Sequence, residues 1–430
     1  MNKMLLLYLV SILLGILTGL IGSVFQLAIA GLDRGLVYIL DFVRQQNLPA
    51  ALVSALLSMI MVAVAYILVR RFAPEAAGSG VQEIEGTLLH QRPIFWKRLL
   101  PVKFFASILT ISSKMVVGRE GPTIQIGGNL GEMLGDKFRF SRDIADVLIA
   151  AGSAAGLATA FNAPLAGVIF ILEEMRNAFD YSFTKFKMVA ICCVMATITL
   201  HCIVGSQAAI SMTIYALPNL QSLWLFFLFG IIVGLAGLLF NTGLMGFLNI
   251  MDKQTPTVRW LYVLSMASIT GYLAWVYPQV VGGGYEIIHH SLDYSYSFVV
   301  LSVLFCIRFI LTLACYSTGV PGGIFAPLLA LGTVLGMAAF QLLDWLIADP
   351  SLQPGMLAVA GMGALFSASV RAPLTGVVLI VEMTQNYSLI LPLMVSCLTS
   401  TTIMQLGRNE PLYTQLLRRT MRLQQKTLEK

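Results

Sequence analysis

The sequence predicts an all-α polytopic membrane protein whose helices are tilted and broken, and three observations carry that prediction. Soluble domains carry about 25% charged residues. In this 430-residue chain charged residues make up 11%, apolar residues 57%, and mean hydropathy is +0.83. Too little polar side chain remains to cover a water-facing surface. Next, apolar stretches of spanning length recur at about 4–30, 51–69, 188–211, 219–248, 258–276, 296–316 and 388–406. Between them lie shorter apolar pieces at about 103–117, 124–135, 146–159, 164–173, 325–343, 354–366 and 373–381, bounded by Gly, Pro or charge. A helix needs about 20 residues to cross the hydrocarbon. The short pieces are therefore expected as broken, tilted or re-entrant helices inside the bundle.

The first thirty residues, Met1 to Ala30, resemble a signal peptide in that Lys3 precedes a long apolar run, but the run continues past Gly19 and Phe25 without a cleavage site. It reads as the first span. Lys and Arg are dense between Arg70 and Lys103 and after Leu406, whereas the linker from Tyr277 to Ser295 has none and Gly205 to Leu220 is uncharged. The positive-inside rule then places both termini in the cytoplasm and predicts an even number of crossings. The formal charge of +6 is scattered, with no dense basic stripe, so nucleic acid is not an implied partner. Six cysteines without CxxC spacing read as core, not as metal or disulfide chemistry. No HExxH motif is present, and the four histidines form no catalytic pattern. An enzyme is not expected.

A faint repeat runs through the chain. Asn162-Ala163-Pro164-Leu165-Ala166-Gly167-Val168, followed by Glu173-Glu174-Met175, echoes Arg371-Ala372-Pro373-Leu374-Thr375-Gly376-Val377, followed by Glu382-Met383. Paired Gly/Pro-interrupted segments point to a transporter whose substrate sits between repeats. Overlaid without gaps, Glu173 falls on Glu382, whereas Glu174 falls on Met383 and is not required by the repeat.

Three breaks hold unusual chemistry: Gly78-Ser79-Gly80-Val81-Gln82-Glu83-Ile84-Glu85-Gly86, Gly118-Arg119-Glu120-Gly121-Pro122, and Gly319-Val320-Pro321-Gly322-Gly323-Ile324-Phe325-Ala326-Pro327. A helix that begins inside the membrane exposes unpaired N–H groups and its positive dipole end. Gly allows close backbone approach, and Pro fits the first helical turn. Such ends, with the Ser79 hydroxyl, suit a desolvated anion. The plainer reading is that Gly and Pro only kink or close-pack helices.

Glu120 is the main functional suspect, because intramembrane acids are expensive. A carboxylate beside such amides occupies the anion's place when charged and vacates it when protonated. The rival is a salt bridge to Arg119, but adjacent helical residues do not face each other. Glu173 and Glu174 read either as interfacial acids paired with Arg176 or Lys185, or as proton carriers. Lys103 has three readings: it neutralises Glu85, it sets a positive field for anions, or it snorkels to the interface. Tyr413, after the last span, is by composition an interfacial aromatic like Tyr387.

At these residues the chain resembles the CLC family of chloride channels and chloride–proton antiporters, in particular the short bacterial exchangers. The likeness covers nearly the whole chain; GREGP alone is weak, but GSGxx-EIEG, GREGP, GGIFAP and both APL(A/T)G copies in this order are specific. It implies two inverted-topology repeats, about 1–205 and 215–405, with a cytoplasmic tail 406–430, in one transmembrane domain over 1–430 without a further soluble domain. It implies chloride and protons as transported ions, no cofactor or metal, and a homodimer in membrane lipid with one ion path per subunit. It places the protein in a bacterial inner membrane and links it to acid resistance. By resemblance, Ser79, Ile324, Phe325 and Tyr413 hold the anion, Glu120 is the external gate and proton carrier, and Glu174, with Glu173 beside it, transfers protons internally. Lys103, Glu85 and Arg119 are supporting charges. Channel members generally lack an acid at the Glu174 position, so exchange is expected and a passive voltage- or pH-gated channel is the alternative. One departure stands out: the exchanger pattern reads GSGIP, and here Gln82 replaces the proline. That substitution puts the helix-start geometry and anion preference in question, unless the Gln82 amide merely caps nearby backbone.

Overall fold

The computed structural model describes residues 3–175, 182–293, 296–347, 349 and 351–428. Among them the chain forms seventeen α-helices and no strand. The first eight are α1 (Lys3–Gln45), α2 (Ala50–Phe72), α3 (Val81–Leu88), α4 (Trp96–Ser112), α5 (Glu120–Lys137), α6 (Arg142–Phe161), α7 (Pro164–Glu174) and α8 (Phe183–Ile203). The next eight are α9 (Leu223–Asp252), α10 (Pro256–Val276), α11 (Tyr285–Asp293), α12 (Phe298–Ser317), α13 (Phe325–Ile347), α14 (Pro354–Val370), α15 (Pro373–Thr384) and α16 (Ile390–Leu406). Helix α17 (Leu412–Leu428) follows.

Eight helical stretches among the described residues are long and apolar enough to cross a membrane. Two of them, α6 and α13, correspond to pieces read from sequence as short. Polar residues at their ends, Arg142, Asp143 and Asp146 in α6 and Asp344 in α13, trimmed the apolar run without ending the helix. Likewise α1 runs beyond the expected 4–30 to Gln45. Burial separates interior from lipid-facing helices. The apolar window of α6 is 89% buried, against 39% for α1, so α6 is wrapped by protein and α1 presents one face outward.

Close backbone contact makes that interior possible. A Cβ on Gly127 of α5 would strike the Gly152 carbonyl of α6, and one on Gly152 would strike the Gly127 carbonyl. Gly332 of α13 and Gly361 of α14 make the same reciprocal contact. With no side chain between them the paired helices touch at the backbone, the usual device for packing helices in lipid. The repeated motifs also fold alike. Asn162 (φ 54°) and Arg371 (φ 69°) end α6 and α14 in the left-handed conformation, and Pro164 and Pro373 open the next helices. Asn tolerates that conformation readily; Arg371 is held in it while its guanidinium donates to the Asn409 carbonyl at 2.8 Å. The two inverted-topology repeats thus share turn, helix start and core contact.

Cys192, Cys193, Cys315 and Cys397 are buried in this core, as expected, while Cys202 and Cys306 are exposed; all six are free thiols.

Candidate functional site

The three Gly-rich breaks meet at the centre of the bundle. Gly118 and Gly323 exchange both backbone hydrogen bonds at 2.7 Å, and Gly78 donates to Val320 at 3.2 Å and accepts from Gly322 at 3.0 Å. These short bridges tie together the starts of α3, α5 and α13. Gly80 sits at φ 90°, and a Cβ there would enter the Gln125 side chain, so only glycine allows this turn into α3. Helix α17 brings a fourth helix start, with the Tyr413 ring 5.8 Å from that of Phe325.

At this junction two hydroxyls, Ser79 Oγ and Tyr413 Oη, face each other on fully buried residues, and neither has a further hydrogen-bond partner. A buried polar group left unpaired costs about 1–3 kcal/mol. Ile324 and Phe325 are also fully buried, and they carry backbone amides at the start of α13. Such hydroxyls and helix-start amides make a donor-rich cage without a full positive charge, chemistry suited to an anion. The backbone N–H of Ser79 donates to Tyr316 Oη at 3.2 Å, which fixes the loop.

Glu120 is the first residue of α5 and is fully buried. Its carboxylate faces the Ala326 amide in the first turn of α13, and Oε1 accepts from the Tyr285 hydroxyl at 3.2 Å. It forms no ion pair with Arg119. That guanidinium lies 5.1 Å from the Tyr285 ring centroid and donates to the Ala160 carbonyl at 3.3 Å. The carboxylate therefore occupies a second helix-start position beside the Ser79–Tyr413 cage.

Glu174 ends α7 half-buried, and its charge, like that of Glu120, acts on Tyr413. One turn back, Phe170 packs on Phe325 at 5.9 Å, and Phe161 and Phe366 complete an aromatic cluster around that ring. Arg176, one of the two proposed partners of these acids, lies outside the described residues.

Glu173 is engaged elsewhere. It accepts from the amides of Leu374 at 3.1 Å and Thr375 at 2.8 Å, at the start of α15. Glu382 accepts from Leu165 at 3.1 Å and Ala166 at 2.8 Å, at the start of α7. Each acid caps the other repeat's helix, which explains why Glu173 and Glu382 coincide when the repeats are overlaid. Glu173→Gln and Glu382→Gln should each lower thermal stability by about 1 kcal/mol and leave chloride affinity unchanged, as read by melting and calorimetry on the purified protein.

Lys103 does not pair with Glu85. Its buried ammonium donates to the carbonyls of Ala76 at 2.9 Å and Gly78 at 2.7 Å, bracing the loop that carries Ser79. Glu85 instead accepts from Thr414 Oγ1 at 3.1 Å, joining α3 to α17 beside Tyr413. Gln82 occupies the second position of α3, where proline is permitted but not needed, so the helix start survives. Its Oε1 is buried without a hydrogen-bond partner, so that oxygen caps no backbone N–H.

Gln82 also lines a cavity of about 480 Å³ that leads toward Gly78 and Tyr316 and contains Arg70, Arg92, Arg259 and Arg419. Glu83 offsets Arg92, Asp252 offsets Arg419, and Glu75, the third acid of the lining, pairs with Arg98 just outside it. Arg70 lies over the Tyr66 ring, and Arg259 donates to carbonyls. The mouth therefore carries surplus positive charge, which concentrates anions.

Sequence reading missed two residues. Arg308 is a lone cation in the apolar α12, visible as such in the sequence; it is fully buried and donates to the carbonyls of Gln279, Val281 and Gly282. Tyr285 follows Gly282-Gly283-Gly284, a fourth glycine break.

Fold and site together define a polytopic membrane protein whose helix starts converge on buried donors and one buried carboxylate. The chain belongs to the CLC family: the profile described as voltage gated chloride channel matches residues 61–405. It is 44% identical over 414 residues to the H(+)/Cl(-) exchange transporter ClcA of Vibrio parahaemolyticus serotype O3:K6, covering 95% of this chain and 89% of that protein. It is 44% identical over 418 residues to ClcA of Vibrio cholerae serotype O1 (strain M66-2), covering 96% and 89%. Among solved structures it matches a slow cyanobacterial Cl-/H+ antiporter with TM-score 0.93 and 39% identity, over 96% of this chain and 98% of that one. A CLC-type fluoride/proton antiporter shares the fold, with TM-score 0.75 and 20% identity over 94% and 96%.

Proposed function

We propose that this protein exchanges chloride for protons across a bacterial inner membrane, with both termini and the basic mouth on the cytoplasmic side. The observation that carries the reading is the pairing, at one junction of helix starts, of two buried hydroxyls without a further partner, Ser79 and Tyr413, with the buried carboxylate of Glu120. Chloride enters by the basic cavity and binds against Ser79, Tyr413 and the amides of Ile324 and Phe325. Glu120, when charged, occupies the neighbouring position and closes the outer route. When protonated it swings away, so one carboxylate alternately displaces chloride and carries a proton. Glu174 passes protons from the cytoplasm past the apolar ring cluster around Phe325, and Glu173 holds α15 in place beside it. The relatives named H(+)/Cl(-) exchange transporters support this reading.

Two further assignments accompany it. The repeats divide at about 1–205 and 215–405, with the tail 406–430 cytoplasmic. Two subunits associate in lipid, each with its own path.

Calorimetric titration of the purified protein tests the binding site. Chloride binds the unmodified protein, and Tyr413→Ala combined with Ser79→Ala weakens binding by about tenfold or more, the loss of two hydrogen bonds to an ion. Unchanged chloride affinity in the double variant would remove these hydroxyls from the site.

A further inference from the structure

Resting on the reading of Glu120 as the gate, we propose that Tyr285 is its latch: the phenol hydroxyl holds the Glu120 carboxylate in the closed position and so limits how fast the outer route opens. Among the described residues, Tyr285 makes the one side-chain hydrogen bond to that carboxylate, at 3.2 Å to Oε1. No other side chain has to release Glu120 before it moves.

The tyrosine is itself firmly placed. It is the first residue of α11, entered through a strap of three glycines in which Gly282 and Gly284 have φ of 71° and 113°. Arg308 grips the start of the strap through three carbonyls, and Gly282 N–H donates to the Lys114 carbonyl at 3.0 Å. Lys114 is tied in turn to Asp33 at 2.7 Å. Above the ring, the Arg119 guanidinium fixes the phenol plane. These contacts, with the Arg119 side chain that also faces the hydroxyl, hold the tyrosine in place, so the bond to Glu120 is the one that breaks when the carboxylate moves.

The chemistry gives the direction. A phenol donating to a carboxylate stabilises the charged, closed gate relative to the protonated, open one. At 3.2 Å the bond is longer than the usual O–H···O distance of about 2.7–2.8 Å, so its contribution belongs at the weak end for a charged acceptor. Tyr285→Phe keeps the ring under Arg119 and the packing of α11, and removes the hydroxyl that donates to Glu120 and also faces the Arg119 guanidinium.

The test measures chloride and proton movement by the full chain in liposomes for four proteins: unmodified, Tyr285→Phe, Glu120→Ala and the double variant. The latch predicts that Tyr285→Phe raises chloride turnover by about tenfold with proton coupling retained, and that the same change in the Glu120→Ala background alters turnover by less than about twofold. Unaltered turnover in Tyr285→Phe overturns the latch, as does an equal acceleration in both backgrounds, which would mean a wider pore. Proton pumping by Glu120→Ala overturns the gate reading itself, whatever Tyr285→Phe does.

Discussion

Glu120→Gln in reconstituted protein is expected to reduce proton movement to the leak of protein-free liposomes while chloride still crosses, at a rate that no longer varies with pH. Glutamine matches the side chain in size but neither ionises nor binds and releases a proton. It therefore cannot compete with chloride as an anion at the start of α13, where the carboxylate lies against the Ala326 amide. In the unmodified protein chloride movement is expected to rise as pH falls, since protonation of Glu120 would vacate the outer position. In the variant that dependence disappears. The measurement is paired chloride and proton flux across a range of external pH. Retained pH dependence with intact coupling would place the gate elsewhere.

Glu174→Gln is expected to abolish proton transport equally, yet leave the pH dependence of chloride movement intact. Glu174 lies one turn beyond Phe170, which packs on Phe325, and the Glu120 carboxylate faces the amide of the next residue, Ala326. Removing the inner acid cuts the cytoplasmic supply of protons but leaves Glu120 free to titrate from outside. A proton can still open the outer route; it can no longer be carried through. The same paired flux assay separates the variants, since only Glu120→Gln flattens the pH profile. Proton pumping by Glu174→Gln would mean another residue, with Glu173 the nearest alternative, supplies the inner path.

How much of this was readable in the sequence depended on whether a feature is local. The breaks at Ser79, Glu120 and Ile324–Phe325 announced themselves because clustered Gly and Pro interrupt a helix and an acid is costly at membrane depth. Their joining by Gly118–Gly323 and Gly78–Val320 hydrogen bonds was not readable, since chain-distant pairing leaves no local pattern. Glu173 shows the same limit: its overlay on Glu382 was visible, but that each caps the other's partner helix required the repeats to be folded together. Neutralising Glu85 was one of three readings of Lys103, yet its ammonium binds the carbonyls of Ala76 and Gly78, because loop carbonyls have no sequence signature. Helix α6 was read as too short because Arg142, Asp143 and Asp146 interrupt its hydropathy, although they lie in its first turns. Tyr285 was passed over because a tyrosine after three glycines is distinctive only once Glu120 is seen within reach of its hydroxyl.

The central claim is that chloride and protons share one carboxylate and are therefore coupled. Its most direct measurement uses unmodified protein in liposomes with a chloride gradient, no initial pH gradient and the membrane potential clamped near zero. Exchange predicts that protons move against their own developing gradient, driven by chloride running down, until the two balance. Chloride movement with no uphill movement of protons would contradict the account and make the protein a passive chloride path.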